Sequence, residues 1–213
     1  TLDSATQFKP LPPTPFSVDK KSMFYKEAKD VMDEGLRNDS LHQSIANFWD
    51  CNPFIIHQQG HVVFATKKIS PGGHWIGITQ TLCKQLNKSF TETAEAQALV
   101  SIGLYDAFIS CWDEKYRSNL VRPETYINEN INPDWIPLLQ TPPFPEYTSG
   151  HSVISSSSAE ILSTLMGDIA FTDSVEVEYG LYPRSFTSIR QAAEEACISR
   201  FYGGIHYMPA ILE

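Results

Sequence analysis

The chain has 213 residues, 42% of them hydrophobic and 12% aromatic, enough for one domain or two small ones around a buried core. Its net charge of −9 argues against a nucleic-acid binder, which carries a basic balance. No apolar run reaches the roughly 18 residues of a membrane span, and nothing at Thr1 reads as a signal peptide, so a mature or trimmed product is expected.

Residues 1–18 hold four prolines and little pattern, which predicts an extended arm over residues 1–20, lying on the surface of something larger. A helical domain is expected over 21–213. From Ser22 to Gly35, Met23, Phe24, Ala28, Val31 and Met32 recur at helical spacing. A second helix is expected over Asp39 to Trp49, closing at Asn52-Pro53. Residues 54–69 are ambiguous, although Val62, Val63 and Phe64 suit a strand. Pro71-Gly72-Gly73 opens a helix to about Asn87. The longest pattern runs from Thr91 to Val121, with Ala94, Ala98, Ile102, Tyr105, Ile109 and Trp112 as its expected apolar face. A proline-rich connector follows, from Asn128 through PPFPEY (Pro142 to Tyr147). Helices over 151–166 and Ile189 to Tyr202 flank an irregular or weakly strand-like stretch, and Ser155 to Ser158 read as a small-residue packing surface. The prediction is an all-α helical bundle with long functional loops.

Cys51, Cys83, Cys111 and Cys197 are widely spaced in partly apolar stretches, which predicts buried free thiols. His57 and His61 have the spacing of zinc ligands on a helix, but Gly60 intervenes and no carboxylate sits nearby. The glycosylation sequons at Asn38 and Asn87 are too common by chance to place the protein; a periplasmic or secreted location is the expectation.

Chemistry concentrates in three stretches of the second half: Lys115 to Pro123, Ser149-Gly150-His151, and Ser199 to His206. Lys115 and Arg122 are seven apart, so on one helix they would lie within about 20° of each other and two turns apart. A planar guanidinium grips two oxygens of an oxyanion while an ammonium adds a mobile point charge. The bland alternative is a solvated basic face. Ser149-Gly150-His151 leads into an apolar helix, where free N–H groups and the dipole favour an anion; the bland alternative is an N-cap with an incidental histidine. Arg200 and His206 are six apart, about 120° around an ideal helix. Either the helix breaks at Gly203-Gly204 or the arginine reaches round. His206 then offers one ring nitrogen as nucleophile or ligand, the other being held by a hydrogen bond. An acidic chain has thus placed three of its 16 basic residues beside its best chemical motifs.

Together these stretches resemble the signature of the type 2 phosphatidic acid phosphatase and vanadium-dependent haloperoxidase superfamily: K-x6-RP, then SGH, then SR-x5-H. The spacing, 26 residues between Arg122 and Ser149 and 48 between His151 and Arg200, is that of the family. Phe48 to Pro53, Trp112 and the run from Pro142 to Ser152 look closest to bacterial vanadium iodoperoxidase-like enzymes. The resemblance implies vanadate as cofactor, replaceable by phosphate, with hydrogen peroxide and a halide as substrates and hypohalous acid as product. It implies His206 as the vanadium ligand, and Lys115, Arg122, Arg200, Ser149 and Gly150 around the equatorial oxygens. His151 would move protons and Lys115 would polarise bound peroxide, with Trp112 and Phe144 lining the pocket. The acid that family members often carry four residues after the second histidine is Ala210 here, which leaves Glu213 or a backbone carbonyl to orient His206. Family members are also longer, so the chain is expected to be a catalytic piece of a longer one. Three readings follow: a vanadate-dependent haloperoxidase, iodide foremost; a soluble acid phosphatase using a phosphohistidine; and a non-catalytic anion-binding helical domain. Neither halide nor oligomeric state is legible.

Overall fold

The computed structural model describes residues 1–52, 55–59, 61–66 and 68–213, with 55–59 and 62–66 as backbone. In chain order it forms α1 (Met23–Arg37), α2 (Ser40–Phe48), β1 (Ile55–Gln59), β2 (Val62–Thr66), α3 (Pro71–Gln85), α4 (Phe90–Ser118), α5 (Pro123–Asn130), α6 (Gly150–Met166), β3 (Phe171–Asp173), a 3-10 helix (Val175–Tyr179), β4 (Arg184–Phe186), α7 (Ile189–Tyr202) and α8 (Met208–Leu212). The all-α expectation is met. Among the described residues, strands occur only as two small antiparallel pairs, with Ile55 opposite Thr66 and Phe171 opposite Phe186. No described helix is long and apolar enough to cross a membrane.

Polar side chains start the helices. Ser22, Asp39, Ser70, Ser89, Ser149 and Ser188 each accept an orphan N–H of the first turn, each cap contributing about 1 kcal/mol. Ser89 and Glu92 complete a reciprocal capping box.

α6 lies between α4 and α7, with α3 against α4 and α6, α2 on α7, and α1 against α5 and α7. Trp49, Trp75, Ile78, Leu82, Val100, Ile154, Leu162 and Ile189 form the main core. Phe24, Val31, Tyr126, Ile127 and Tyr207 make a smaller one beneath α1. α4 and α6 approach closely because their contact residues are small. A Cβ at Gly103 would sit 2.3 Å from Ile161 Cδ1. The serine run serves this packing: Ser155 accepts from Trp75 Nε1 at 2.9 Å, and Ser157 donates to the Gly103 carbonyl at 3.2 Å.

That approach corrects the expected face of α4. Its buried residues are Ala96, Val100, Leu104, Ala107, Cys111, Glu114 and Lys115. Ala94, Ala98, Ile102 and Tyr105 are exposed instead, Tyr105 at 67%. α4 also stops at Ser118, where Asn119 turns left-handed (φ 47°), so Lys115 and Arg122 do not share a helix as the spacing suggested. Arg122 is the extended N-cap of α5, whose Pro123 occupies the first turn. Neither α5 nor α8 was expected. The segment holding His57 and His61 is a hairpin, not the helix a zinc pair would need; the His57 side chain lies outside the described atoms.

The proline arm runs along the bundle: the Tyr147 and Tyr126 hydroxyls donate to the carbonyls of Leu11 and Ser17, and Phe16 packs on Phe24 and Tyr126.

The helix break at Gly203-Gly204 takes place. α7 ends at Tyr202, and Gly204 carries φ +77°, with an added Cβ 3.0 Å from Pro137. Gly204→Ala should therefore destabilise the fold by at least about 1–2 kcal/mol. Urea denaturation checks this, and an unchanged midpoint would mean the turn relaxes without strain.

Candidate oxyanion site

Three parts of the chain meet at one end of the bundle: the turn before α5, the N-terminus of α6, and the segment after α7. Beside them lies a cavity of about 500 Å³ lined by Gly150, His151, Arg200 and His206 and by Asp50 and Cys51 after α2, with Trp112 and Phe144 on its apolar side. Trp112 and Phe144 pack at 5.1 Å between centroids, and Gly150 lies under the indole, 3.4 Å from where its Cβ would be.

Arg122, 6% exposed, is pinned by its own neighbours. Its Nε donates to the Phe144 carbonyl at 2.9 Å, and Nη1 donates to the Ile205 carbonyl at 2.8 Å and to His206 Nε2 at 3.0 Å. Arg200 arrives from the last turn of α7, and its Nη1 donates to the Trp49 carbonyl at 2.9 Å. Among the described residues, Arg122 Nη2, Arg200 Nε and His151 Nε2 are buried without a hydrogen-bond partner. Buried polar atoms are normally satisfied, so unpartnered nitrogens on Arg200 and His151 in the cavity lining, with a third on Arg122 behind His206, fit an oxygen-rich anion. The α6 N-terminus adds to it. Ser149 caps the helix by accepting from the Ser152 N–H at 3.2 Å, and Gly150, its first residue, lines the cavity at the end where a helix favours an anion.

His206 is oriented by a residue the sequence reading missed. Its Nδ1 lies 2.7 Å from Glu146 Oε1, which also accepts the Tyr207 N–H at 3.0 Å. The expected Glu213 instead accepts the Leu11 N–H, and the Ala210 carbonyl accepts the Ser149 N–H. Glu146 had one signal: it is the carboxylate inside the apolar PPFPEY run, three residues before Ser149.

The partners fix the tautomer. Arg122 can only donate, so Nε2 must accept; Oε1 already accepts from Tyr207, so Nδ1 must carry the proton. Burial, followed by the charges of Arg122 and Lys115, holds the His206 pKa well below the usual histidine value. His151 is likewise pushed well down, by burial first and then by Arg200. Both rings are therefore neutral near pH 7, with a lone pair at His206 Nε2. Burial raises Glu146 to about 8 against the pull of Arg122 and Lys115.

Lys115 is brought to the site but does not line the cavity. Its ammonium is buried below Phe144 and Trp112 and donates to the carbonyls of Pro145, Glu146 and Thr148. Three donors meet three acceptors, which ties down the loop carrying Phe144 and Glu146. Burial lowers its pKa to about 8. Of the residues singled out in the sequence, Gly150, His151, Arg200 and His206 thus line the cavity and Arg122 reaches it through His206. Ser149 and Lys115 support it from behind.

The family model of the VCPO second helical-bundle domain matches residues 95–213. No curated protein matches. Among solved structures, the first bacterial vanadium-dependent iodoperoxidase is 52% identical, with a TM-score of 0.92 over 99% of this chain and 50% of that one. A bacterial vanadium-dependent chloroperoxidase in its holo form is 17% identical, with a TM-score of 0.64 over 88% of this chain and 43% of its own, a likeness of fold. The chain spans half the length of the iodoperoxidase it matches.

Proposed function

The chain belongs to the vanadium haloperoxidase superfamily, and we propose that its cavity binds vanadate and oxidises a halide, iodide foremost, with hydrogen peroxide. The observation that carries this is a cavity lined by Arg200 and His151, each with an unpartnered buried nitrogen, and by His206, whose tautomer makes Nε2 the lone-pair nitrogen, now capped by Arg122 Nη1. Vanadate held there would supply a Lewis acid that activates peroxide for attack by halide. The protein's own share is electrostatic and protonic. Arg122 and Arg200 supply the positive charge that an oxyanion needs, from positions organised by carbonyls, with the Arg122–His206 contact exchanged on binding. His206 Nε2 would be the ligating atom, with Glu146 holding its ring. Forming hypohalous acid and water from halide and peroxide consumes one proton, and neutral His151, with Nε2 toward the cavity, is placed to relay it. Lys115 fixes the loop beneath Phe144 and adds charge from below. The apolar wall of Trp112 and Phe144 suits a large, weakly hydrated halide. The 52% identity to an iodoperoxidase supports iodide among the halides.

Triiodide formation from iodide and peroxide, with and without orthovanadate, tests the reading. Vanadate-dependent turnover suppressed by phosphate is the expected result. Hydrolysis of p-nitrophenyl phosphate with no iodide oxidation would instead assign a phosphatase to the same residues.

A further inference from the structure

At the cavity wall, which Cys51 helps to line, a thiol, an imidazole and a carboxyl come together from distant parts of the chain. Cys51 follows α2, His74 lies in the first turn of α3, and Glu176 sits in the 3-10 helix; they are 2%, 0% and 1% exposed. Cys51 Sγ is 3.4 Å from His74 Nδ1 and 3.7 Å from Glu176 Oε1, and those two atoms are 3.3 Å apart. A tetrahedral zinc with ordinary bond lengths sets its ligands about 3.5 Å apart where one is sulfur and about 3.3 Å apart for nitrogen and oxygen. The three contacts thus trace one face of such a tetrahedron.

Two further features point to a cation. His74 Nε2 lies 2.7 Å from Asp173 Oδ2, the carboxylate–imidazole arrangement that leaves Nδ1 free to ligate. The second oxygen of Glu176 is buried without a partner. The competing account is an imidazolium shared between Asp173 and Glu176. A charge-assisted contact of that kind closes to about 2.7–2.9 Å, and the Glu176 contact does not.

We propose that Cys51 Sγ, His74 Nδ1 and Glu176 Oε1 form a second metal site, for a divalent cation of zinc's size and softness, with Asp173 orienting the imidazole. Metal entry expels the thiol proton and any proton on Glu176, and a water or the second Glu176 oxygen completes the coordination. The site would fasten the wall of the oxyanion cavity. Trp49 stacks on His74, 4.8 Å between centroids, and the Trp49 carbonyl holds Arg200. The proposal does not depend on what the cavity itself binds.

Cobalt(II) is the probe. The chain, stripped with a chelator and dialysed, should take up one equivalent and show a thiolate-to-cobalt absorption band in the near ultraviolet. Zinc should displace it, whereas orthovanadate should not. Cys51→Ser should lose the band, and Asp173→Asn should weaken binding about 10- to 100-fold, circular dichroism showing that both variants are folded. The wild-type measurement stands even where a variant fails to fold. No cobalt bound by the wild type, or bound cobalt without the thiolate band, overturns the proposal and leaves a hydrogen-bonded core triad.

Discussion

Arg200→Met should weaken orthovanadate binding by about 30-fold to a few thousandfold while leaving the unliganded fold as stable as before. Truncating one partner of a buried, hydrogen-bonded charge pair costs about 2–5 kcal/mol of binding, which converts to that range of Kd. The unliganded protein has the opposite interest. Arg200 is only 4% exposed, its charge opposes that of Arg122 and the protonation of His151, and burial is the main reason its own pKa is lowered. Methionine fills similar volume and removes the repulsion with Arg122, together with the attraction of Asp50 that partly offsets it. The loss of one hydrogen bond to the Trp49 carbonyl, worth about 0.5–1.5 kcal/mol, is set against that relief. Urea unfolding without vanadate should accordingly shift little, while vanadate titration shifts strongly. A second signature has a definite sign. Arg200 is the largest charge holding the His151 pKa down, after burial. Without it that pKa rises, so an activity that needs neutral His151 should fall away at a higher pH on the acid side than in the wild type. An unchanged vanadate affinity would remove Arg200 from the site.

How much of this was legible depends on what each inference rested on. The cations and imidazoles were readable because oxyanion chemistry needs those residue types, and their order survives whatever the loops do. Their mutual geometry was less so. Lys115 and Arg122 converge through a left-handed turn at Asn119 and a new helix at Pro123, not along one helix; a seven-residue spacing has no access to that turn. The face of α4 was misjudged for a packing reason. Close helix contact selects Ala96, Gly103 and Ala107, which carry a weak hydrophobic signal, whereas the large apolar residues Ile102 and Tyr105 face out. Glu146 escaped because its partner is 60 residues away and the neighbouring prolines read as connector. Glu176 lies 125 residues from Cys51, and only the fold brings it to Cys51 and His74.

The second large effect separates Glu146 as an acceptor from Glu146 as a charge. Glu146→Leu should reduce vanadate affinity and turnover by about 10- to 100-fold, the usual effect of removing a group that orients a ligating histidine. The His206 ring then has two poor choices. It can keep the proton on Nδ1, buried and unsatisfied at about 1–3 kcal/mol, or move it to Nε2, against the Arg122 donor 3.0 Å away. The first leaves the ring unanchored, and the second takes the lone pair away from Nε2. Glu146→Gln should behave differently. The Tyr207 N–H, 3.0 Å from Oε1 in the wild type, selects the amide oxygen for that position, so the Nδ1–H tautomer survives. Because burial raises the Glu146 carboxyl to about 8, the wild type is mostly protonated there at pH 7 and resembles the amide. Above pH 8 it becomes a carboxylate and grips Nδ1–H more strongly, which glutamine cannot do. The gap between wild type and Gln variant should therefore be small at pH 7 and open between pH 8 and 9, while the Leu variant is impaired throughout. Nitrogen-15 spectra of the imidazoles report the tautomer directly. Should Gln lose as much as Leu at pH 7, the carboxylate charge rather than the accepting oxygen orients His206, and the tautomer assignment would have to rest on Arg122 alone.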